Sequence, residues 1–410
     1  MAQRGKSKIK YVLFLILKQP DKKTTSNDGE VRKKKLSRWA RCCFILLAVL
    51  IIVSLVCTHD LIFNISHYVA RSWNISQPEV RHIGFLKVHK AGGSTIQNIL
   101  FRYGLHRNVT FVIPKTGYKF STPFSKTTSI LNNKRGEYYD ILAIHSVYNE
   151  TSYSRLLPAD AANIAIIRNP LELFVSAAYY HRDVWHVPYL KRVPTDNYVQ
   201  NLIRYPELYD NQVLSLTRNS MAMDFGFPSD LHPTEESVIL NFLNYLDKRF
   251  DLVLVVEFFT ESLVLLKRLL HWKLQDIVYI PQNTNTHPAL PELNLTSSDV
   301  DKFELRNFLD KKLYDYFLKI FKQKTHAAGH DFFEEVGHFE NVIANVTAFC
   351  VFKERDGSEM VVPDSYWSEK FAVKPSDCRE MLITELEYID KIRSKIMPTL
   401  RGLTTKYWTP

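Results

Sequence analysis

The sequence predicts an α/β fold in which a parallel sheet is flanked by helices, preceded by a single N-terminal transmembrane helix. Three observations predict it: short runs of apolar, mostly β-branched residues, helical patterns that alternate with these runs, and one longer apolar run beside a basic N-terminal segment. Apolar runs without polar alternation are typical of strands that are buried on both faces, as in parallel sheets.

The predicted strands follow one another in a regular order. The runs at 83–88, 141–144, 164–167 and 252–256 predict four strands, and 277–280 is a candidate fifth. The first, third and fourth runs are each followed by apolar residues at helical spacing. These helical segments contain Ile96, Ile99, Leu100 and Tyr103, then Leu171, Phe174, Val175 and Ala178, and then the residues from Thr260 to Trp272.

The positive charge of the chain is confined to its N-terminus. The 410 residues carry a formal charge of +10, and residues 1–41 hold 13 Lys and Arg against three acids, so the rest has 40 bases and 40 acids. This balance argues against a nucleic-acid partner. The apolar run at 42–57 spans roughly 24 Å as a helix. With its basic flank it predicts a signal-anchor that keeps the N-terminus cytoplasmic, and a cleaved signal peptide is the alternative.

Two features after the apolar run are typical of a secretory lumen. Glycosylation sequons occur only beyond it. Their asparagines are Asn64, Asn74, Asn108, Asn149, Asn294 and Asn345. Of five cysteines, only Cys350 and Cys378 follow residue 57, so they are the disulfide candidates in an oxidising compartment. The predicted protein is therefore a type II membrane protein with a lumenal catalytic domain.

Five segments make up the predicted organisation. They are a basic cytoplasmic tail (1–41), a signal-anchor (42–58), a lumenal stem (59–80), a catalytic domain (81–347) and a C-terminal extension (348–410). The extension contains an amphipathic helix that we expect to pack on the domain. Its apolar residues are Leu382, Leu386, Ile389 and Ile396, and Pro398 ends it.

The strongest motif connects the first strand to its helix. It reads FLKVHKAGGST and contains the loop residues Lys90, Ala91, Gly92, Gly93, Ser94 and Thr95. Glycines let backbone N–H groups approach an anion, the helix N-terminus adds a favourable dipole, and the lysine adds charge. The motif therefore predicts phosphate binding, and a plain glycine turn is the alternative. It is not a Walker A loop, because the lysine precedes the glycines.

A second motif follows the third strand and reads IRNPLELFVS. Arg168 ends the strand, Pro170 suits the first turn of a helix, and Ser176 lies on the side opposite the apolar stripe. An arginine and a hydroxyl at the same strand-to-helix edge are able to bind another phosphate. A solvated charge is the ordinary interpretation of a single arginine, and its conjunction with the first loop favours the phosphate site.

Together the two motifs resemble the nucleotide-binding segments of sulfotransferases that use 3′-phosphoadenosine-5′-phosphosulfate (PAPS). The chain is more closely similar to the galactose-3-O-sulfotransferase family, through FLKVHK at 85–90, NILFRYG at 98–104, and SLVLLK at 262–267 before DIVY at 276–279. The resemblance covers roughly residues 82–321, is patchy between 116 and 136, and returns after Cys378.

The resemblance implies a sulfotransferase fold with a P-loop-like sheet. It also implies that the protein binds PAPS and transfers its sulfuryl group. The glycine loop would bind the 5′-phosphosulfate, and Arg168 with Ser176 would bind the 3′-phosphate. A sulfuryl group would pass by in-line displacement, without a metal, to the 3-hydroxyl of galactose on a galactosylceramide-like glycolipid or a galactose-terminated glycan. The family has a hydroxyl residue where Ala91 stands and an aspartate where Asn169 stands.

The resemblance also implies catalytic roles. His89 would take the proton of the acceptor hydroxyl, since imidazole titrates near neutrality, and His145 is the reserve candidate for this base. Lys87 and Lys90 would stabilise the negative charge on the sulfuryl and bridging oxygens.

The implied location is the Golgi membrane with a lumenal catalytic domain, and the sequence leaves a homodimer open. Another carbohydrate O-sulfotransferase is the nearest alternative function. A metal-dependent glycosyltransferase would use the single Asp-x-Asp match, Asp299 to Asp301. A non-catalytic sugar-binding protein is a third alternative.

Overall fold

The computed structural model describes Leu47 and residues 77–120, 130–131, 138–212, 215–281, 287–352 and 358–396. The chain divides into two compact units, Met1–Gln77 and Pro78–Pro410. Almost all described residues belong to the second unit, to which the elements below belong.

The described elements of the second unit are, in chain order, β1 (Ile83–Leu86), α1 (Gly93–Arg107), β2 (Ile141–Leu142), α2 (Glu150–Leu156), β3 (Ala162–Ile167), α3 (Pro170–Asp183), α4 (Pro188–Lys191), α5 (Tyr198–Arg204), α6 (Pro206–Tyr209), α7 (Ser220–Asp224), α8 (Glu236–Asp247), β4 (Leu252–Val255), α9 (Phe259–Leu270), α10 (Leu274–Ile277), α11 (Ser297–Arg306), α12 (Phe308–Ala327), α13 (Phe332–Phe352), β5 (Met360–Val362), β6 (Phe371–Val373), α14 (Pro375–Leu382) and α15 (Glu385–Ile396).

The predicted parallel sheet is confirmed. Among the described residues it has four strands in the order β2-β1-β3-β4, and each neighbouring pair is parallel. The central strands β1 and β3 pair from Ile83 with Ala162 to Leu86 with Ala165. Nearly every strand side chain is buried, as expected for a sheet covered on both faces. The carboxyl ends of β1 and β3 therefore present the two predicted phosphate motifs at one edge.

The candidate fifth strand at 277–280 is wrong. The backbone N–H of Lys273 donates to the Asp276 carboxylate over 3.0 Å at the start of α10, which extends to Ile277. The carbonyl group of Val278 then accepts a hydrogen bond from the guanidinium of Arg102 in α1. Ile277 thus belongs to a helix, and the Val278 carbonyl bonds to a side chain rather than to a neighbouring strand.

The transmembrane part of the predicted fold class needs correction. Within the described part of the chain, no helix is long and apolar enough to cross a membrane. The fold class that the described residues support is an α/β fold with a parallel sheet, and they do not support the predicted N-terminal transmembrane helix. A membrane span needs about 20 predominantly apolar residues. Apart from Leu47, the predicted span at 42–58 lies outside the described residues.

The C-terminal extension packs on α1 through two helices rather than the single one predicted. The Asn98 side chain donates to the carbonyl groups of Glu380, Met381 and Ile383. The chain then turns, and Thr384 and Glu387 bond to each other to start α15. The predicted stripe is shifted as a result. Leu382 and Leu386 are exposed and Ile396 is half-buried, whereas the buried apolar residues of α15 are Tyr388, Ile389 and Ile392.

A disulfide bond joins helix α13 to helix α14. Cys350 near the end of α13 is bonded to Cys378 in α14, with 5.5 Å between the Cα atoms. The bond fixes α14, whose carbonyl groups bind Asn98 in α1. The extension is thus connected to the first helix of the sheet domain.

Candidate active site

The loop between β1 and α1 has the backbone of an anion cradle. Lys90 and Gly92 both have positive φ, 58° and 69°. At Gly93 a Cβ atom would lie 2.8 Å from Cγ of Lys87, so a side chain there would require Lys87 to move. Helix α1 begins at Gly93 without a side-chain cap. Its first N–H groups are therefore presented by the loop in the manner of a phosphate site.

The two predicted phosphate motifs meet at Lys90. The Arg168 guanidinium donates to the Lys90 carbonyl oxygen over 3.2 Å, and the Lys90 ammonium lies 3.7 Å from the ring centroid of Tyr180. Burial, together with the nearby charges of Arg168 and Lys87, lowers the pKa of Lys90 to about 8. Cations placed this close together favour a bound polyanion, which would relieve their repulsion.

Asn169 and Ala91, the two residues that differ from the family pattern, have local structural explanations. The Asn169 side chain accepts hydrogen bonds from the N–H groups of Leu171 and Glu172, so it caps α3 as an aspartate would, without the charge. Ala91 is fully buried, so it faces the core rather than a ligand. Glu172 also contacts Arg168, 3.2 Å away.

The remaining loop residues and the second motif differ in accessibility. Ser94 is exposed and Thr95 is half-buried at the start of α1. Ser176 lies in the middle of α3 with only 5% of its surface exposed. Among the described residues, no hydrogen bond connects it to Arg168. Arg168 is therefore brought to the anion loop, whereas Ser176 is more enclosed than the sequence suggested.

His89 forms a dyad with Asp224, a residue that the sequence analysis missed. The Nδ1 atom of His89 lies 2.9 and 3.0 Å from the two carboxylate oxygens, and the backbone N–H of His89 donates to the same group over 2.7 Å. Burial lowers the pKa of His89, but the charge and hydrogen bond of Asp224 outweigh it and raise the value overall. This geometry makes Nδ1 the donor and leaves Nε2 as the proton acceptor.

Asp224 is held in place by a buried network at the start of α7. The Asp310 carboxyl group accepts hydrogen bonds from the N–H groups of Met221 and Ala222. Asn219 accepts from the N–H groups of Leu309 and Asp310. Burial raises the pKa of Asp310 to about 7. No sequence motif marked these residues, because the contacts connect segments about 90 positions apart.

His145 stacks on His89 but has a different environment. The ring centroids are 4.1 Å apart with 18° between the planes. Its Nδ1 atom lies 2.9 Å from the backbone carbonyl of Lys87. A carbonyl only accepts, so Nδ1 carries the hydrogen and Nε2 has the free lone pair. Burial, together with the charges of Lys87 and His89, lowers the pKa of His145 well below its usual value.

Lys87 is placed behind the loop rather than at its mouth. Its ammonium group donates to Gln97 over 2.8 Å and pairs with Glu385 of α15 over 2.6 Å. Only 1% of Lys87 is exposed, and burial lowers its pKa although Glu385 partly opposes the shift. The C-terminal extension thus supplies the counterion of a lysine beside the anion loop.

Asp299, the first residue of the single Asp-x-Asp match, has a structural role. Asp299 accepts hydrogen bonds from the guanidinium of Arg204 over 2.6 and 2.7 Å, and it forms a capping box with Thr296 at the start of α11. The Arg204 side chain strongly lowers the pKa of Asp299. Since this carboxylate is already engaged, the match does not favour a metal-dependent glycosyltransferase.

The described sequon asparagines are accessible. Each lies at the surface of the second unit, which is the position that a glycan requires. They are Asn108, Asn149, Asn294 and Asn345. Asn64 and Asn74 lie outside the described residues.

Comparison with known proteins identifies what the chain resembles. A family model described as galactose-3-O-sulfotransferase matches residues 16–360. Galactosylceramide sulfotransferase of Homo sapiens is 28% identical over 347 residues, 78% of this chain and 79% of that protein. Galactose-3-O-sulfotransferase 3 of Mus musculus is 30% identical over 266 residues, 62% of this chain and 60% of that protein. Galactose-3-O-sulfotransferase 2 of Sus scrofa is 25% identical over 348 residues, 78% and 85% respectively.

Proposed function

Because the chain belongs to the galactose-3-O-sulfotransferase family, we propose that it transfers a sulfuryl group from PAPS to the 3-hydroxyl of a galactose residue. The observation that carries this proposal is the position of the His89–Asp224 dyad directly beside the cationic loop at Lys90. A proton acceptor and an anion site are thus adjacent in the chain and at the same edge of the sheet.

The donor nucleotide is proposed to bind at the edge formed by the two motifs. The N–H groups at the start of α1 and the Lys90 ammonium would hold the 5′-phosphosulfate. Arg168 would hold the 3′-phosphate, with Ser176 as a further ligand if α3 adjusts on binding. The cluster of Lys90, Arg168 and Lys87 supports this assignment, because its charges are mutually repulsive without an anion.

His89 is proposed to be the general base. As the acceptor oxygen forms its bond to sulfur, the bond from sulfur to the bridging phosphate oxygen breaks and the electron pair leaves with the nucleotide. The hydroxyl proton passes to Nε2 of His89, and Asp224 stabilises the resulting imidazolium. Lys90 would balance the charge that develops on the departing oxygen.

Lys87 is proposed to act through its field and its position rather than by direct contact. Its side chain packs beneath Gly93, and its ammonium remains in the pair with Glu385. From there it contributes positive potential behind the loop. It also maintains the backbone shape that the anion requires.

The acceptor is proposed to be a galactose-terminated glycolipid or glycan, since the relatives include galactosylceramide sulfotransferase and galactose-3-O-sulfotransferases. We also propose a Golgi lumenal location. The disulfide Cys350–Cys378 and the exposed sequon asparagines support it. Glycosidase treatment of the protein from cells should lower its apparent mass, and an unchanged mass would oppose this location.

The reaction is tested with purified protein, labelled PAPS and a panel of acceptors. We expect sulfate on galactosylceramide, lactose or N-acetyllactosamine, at the 3-position of galactose as identified by NMR. Their glucose-terminated counterparts serve as matched controls and should remain unlabelled. Absence of transfer to every galactoside in the panel would refute the proposed function.

The role of the base is tested with two matched alanine variants. His89→Ala should lower kcat by about 10²–10⁴ and leave the Kd of the nucleotide nearly unchanged. His145→Ala should retain more activity than His89→Ala, because its ring lacks a carboxylate partner among the described residues. If His145→Ala abolishes turnover while His89→Ala remains active, the base is His145.

A further inference from the structure

Two aromatic rings lie together at the edge of the site without a role in the proposed reaction. Tyr118 and Trp185 are stacked, with ring centroids 5.9 Å apart and 27° between the planes. Trp185 is 41% exposed although tryptophan is usually well covered in folded proteins. Tyr118 is half-buried. The pair thus offers aromatic surface to the solvent.

Both rings are attached to backbone positions that adjoin the catalytic residues. The N–H of Trp185 donates to the carbonyl of Tyr180, whose ring lies 3.7 Å from the Lys90 ammonium. On the other side, Lys119 forms a parallel bridge with His145, and the N–H of Phe120 donates to the His145 carbonyl over 3.0 Å. The two segments that carry the aromatic pair therefore adjoin Lys90 and His145.

The loop that carries Tyr118 is held by the C-terminal extension. The guanidinium of Arg393 in α15 donates to the carbonyl groups of Pro114 and Gly117, the latter over 2.6 Å. Arg393 is buried in this position. A ring that follows an anchored loop loses little conformational entropy when a ligand packs on it, which suits a binding platform.

A polar side chain, His181, lies in the same segment as Trp185 and within range of the charges of His89 and Lys90. His181 precedes Trp185 by one helical turn and contacts the ring of Tyr180 edge-on. Burial lowers the pKa of His181 to about 4, and the charges of His89, Lys90 and Lys119 contribute. Its imidazole is therefore neutral at physiological pH and offers one donor and one acceptor, which suits sugar hydroxyl groups.

We propose that the rings of Tyr118 and Trp185 form the platform on which the terminal galactose of the acceptor lies, with His181 binding one of its hydroxyl groups. This inference rests on the proposed function. The axial 4-hydroxyl of galactose leaves the opposite face of the sugar with a continuous patch of C–H groups, which packs on aromatic rings. The equatorial 3-hydroxyl lies in the plane of the sugar ring, so a platform beneath the ring leaves it accessible from the side.

The platform is tested by steady-state kinetics with PAPS and a water-soluble acceptor, methyl β-galactoside. Trp185→Ala should raise the KM for the galactoside by about 10- to 100-fold, the effect of losing one well-packed aromatic contact. The KM for PAPS should be unchanged. Trp185→Phe keeps an aromatic face and should retain most of the acceptor affinity. Tyr118→Ala provides a second variant in a different segment, in case Trp185→Ala does not fold.

A matched control lies at the far end of the domain. Phe333 is also a large exposed aromatic residue, at the start of α13. There Glu335 pairs with Lys267 and Arg268 in the last turn of α9. Helix α9 begins at the site edge of the sheet and its 12 residues span about 18 Å. Phe333→Ala should therefore leave both KM values unchanged.

The outcomes separate this inference from the proposed function. If the wild-type protein sulfates galactosides and Trp185→Ala and Tyr118→Ala leave the acceptor KM unchanged, the platform is overturned and the proposed function remains. If the two variants lose activity only toward galactosylceramide and keep the wild-type KM for methyl β-galactoside, the rings bind the lipid chain instead. That result would also overturn the platform. If the wild-type protein sulfates no galactoside, both proposals fall.

Discussion

Replacement of Glu385 by glutamine removes the counterion of a buried lysine without a large change in volume. Lys87 is 1% exposed, and its ammonium lies 2.6 Å from the Glu385 carboxylate and 2.8 Å from the Gln97 side chain. The substitution leaves the ammonium with two amide partners and no negative charge. We expect both a loss of stability and a further lowering of the Lys87 pKa.

The size of the stability loss follows from the distance between Lys87 and Glu385 and from the burial of the pair. At an effective dielectric constant of about 20, opposite unit charges at this distance attract by roughly 6 kcal/mol. A glutamine at position 385 recovers part of this lost attraction through a hydrogen bond to Lys87. Lys87 reduces the remaining cost of an unpaired charge by losing its proton. Removal of one partner from a buried pair typically costs about 3–5 kcal/mol, and we expect a loss within that range.

Urea unfolding of the purified protein measures this loss, and an exposed pair provides the control. Lys273 and Glu369 lie 2.8 Å apart, but their side chains are 58% and 71% exposed. Glu369→Gln should change the free energy of unfolding by less than about 1 kcal/mol. Lys87→Met combined with Glu385→Leu should be less destabilised than the sum of the single variants. If Glu385→Gln costs no more than Glu369→Gln, the buried pair does not stabilise the loop as argued.

Three further changes test other parts of the site. Asp224→Asn removes the charge that raises the pKa of His89, so the acidic limb of the pH profile of kcat/KM should move to lower pH. The same substitution should lower kcat by about 10- to 1,000-fold. An acidic limb at an unchanged pH would contradict the His89–Asp224 dyad. The pKa of Lys90, about 8, should rise when an anion binds beside it, so calorimetry near that pH should detect proton uptake with the nucleotide, and Lys90→Arg should abolish it. Replacement of Cys350 and Cys378 by serine should lower the free energy of unfolding by about 3–4 kcal/mol in urea titrations, and an unchanged midpoint would refute a stabilising role.

The sheet and the glycine loop between β1 and α1 could be predicted from the sequence because their signals are local. An unbroken apolar run such as 164–167, which is mostly β-branched, indicates a strand by itself. A lysine followed by two glycines before a helix is the corresponding local signal of an anion-binding loop. The fifth strand failed for the complementary reason. The residues at 277–280 have strand-like composition, but Ile277 ends α10 and the Val278 carbonyl bonds to the side chain of Arg102.

The partners of the proposed catalytic residues could not be predicted because they are set by tertiary packing. Asp224 lies 135 positions from His89, in a short helix without a motif. Glu385 lies in an extension that seemed merely to cover the domain, yet it provides the counterion of Lys87. The enclosure of Ser176 likewise depends on the packing around α3 rather than on its helical position.

The two stacked histidines have pKa values displaced in opposite directions, and this difference favours one of them as the base. A proton taken from the acceptor hydroxyl must stay on a ring that holds positive charge until transfer is complete. Asp224 stabilises that charge on His89, whereas His145 donates only to a neutral carbonyl and is repelled by the charge of Lys87. With the rings 4.1 Å apart, a protonated His145 would raise the energy of the His89 imidazolium. The neutral state of His145 therefore keeps the neighbouring ring available as the proton acceptor.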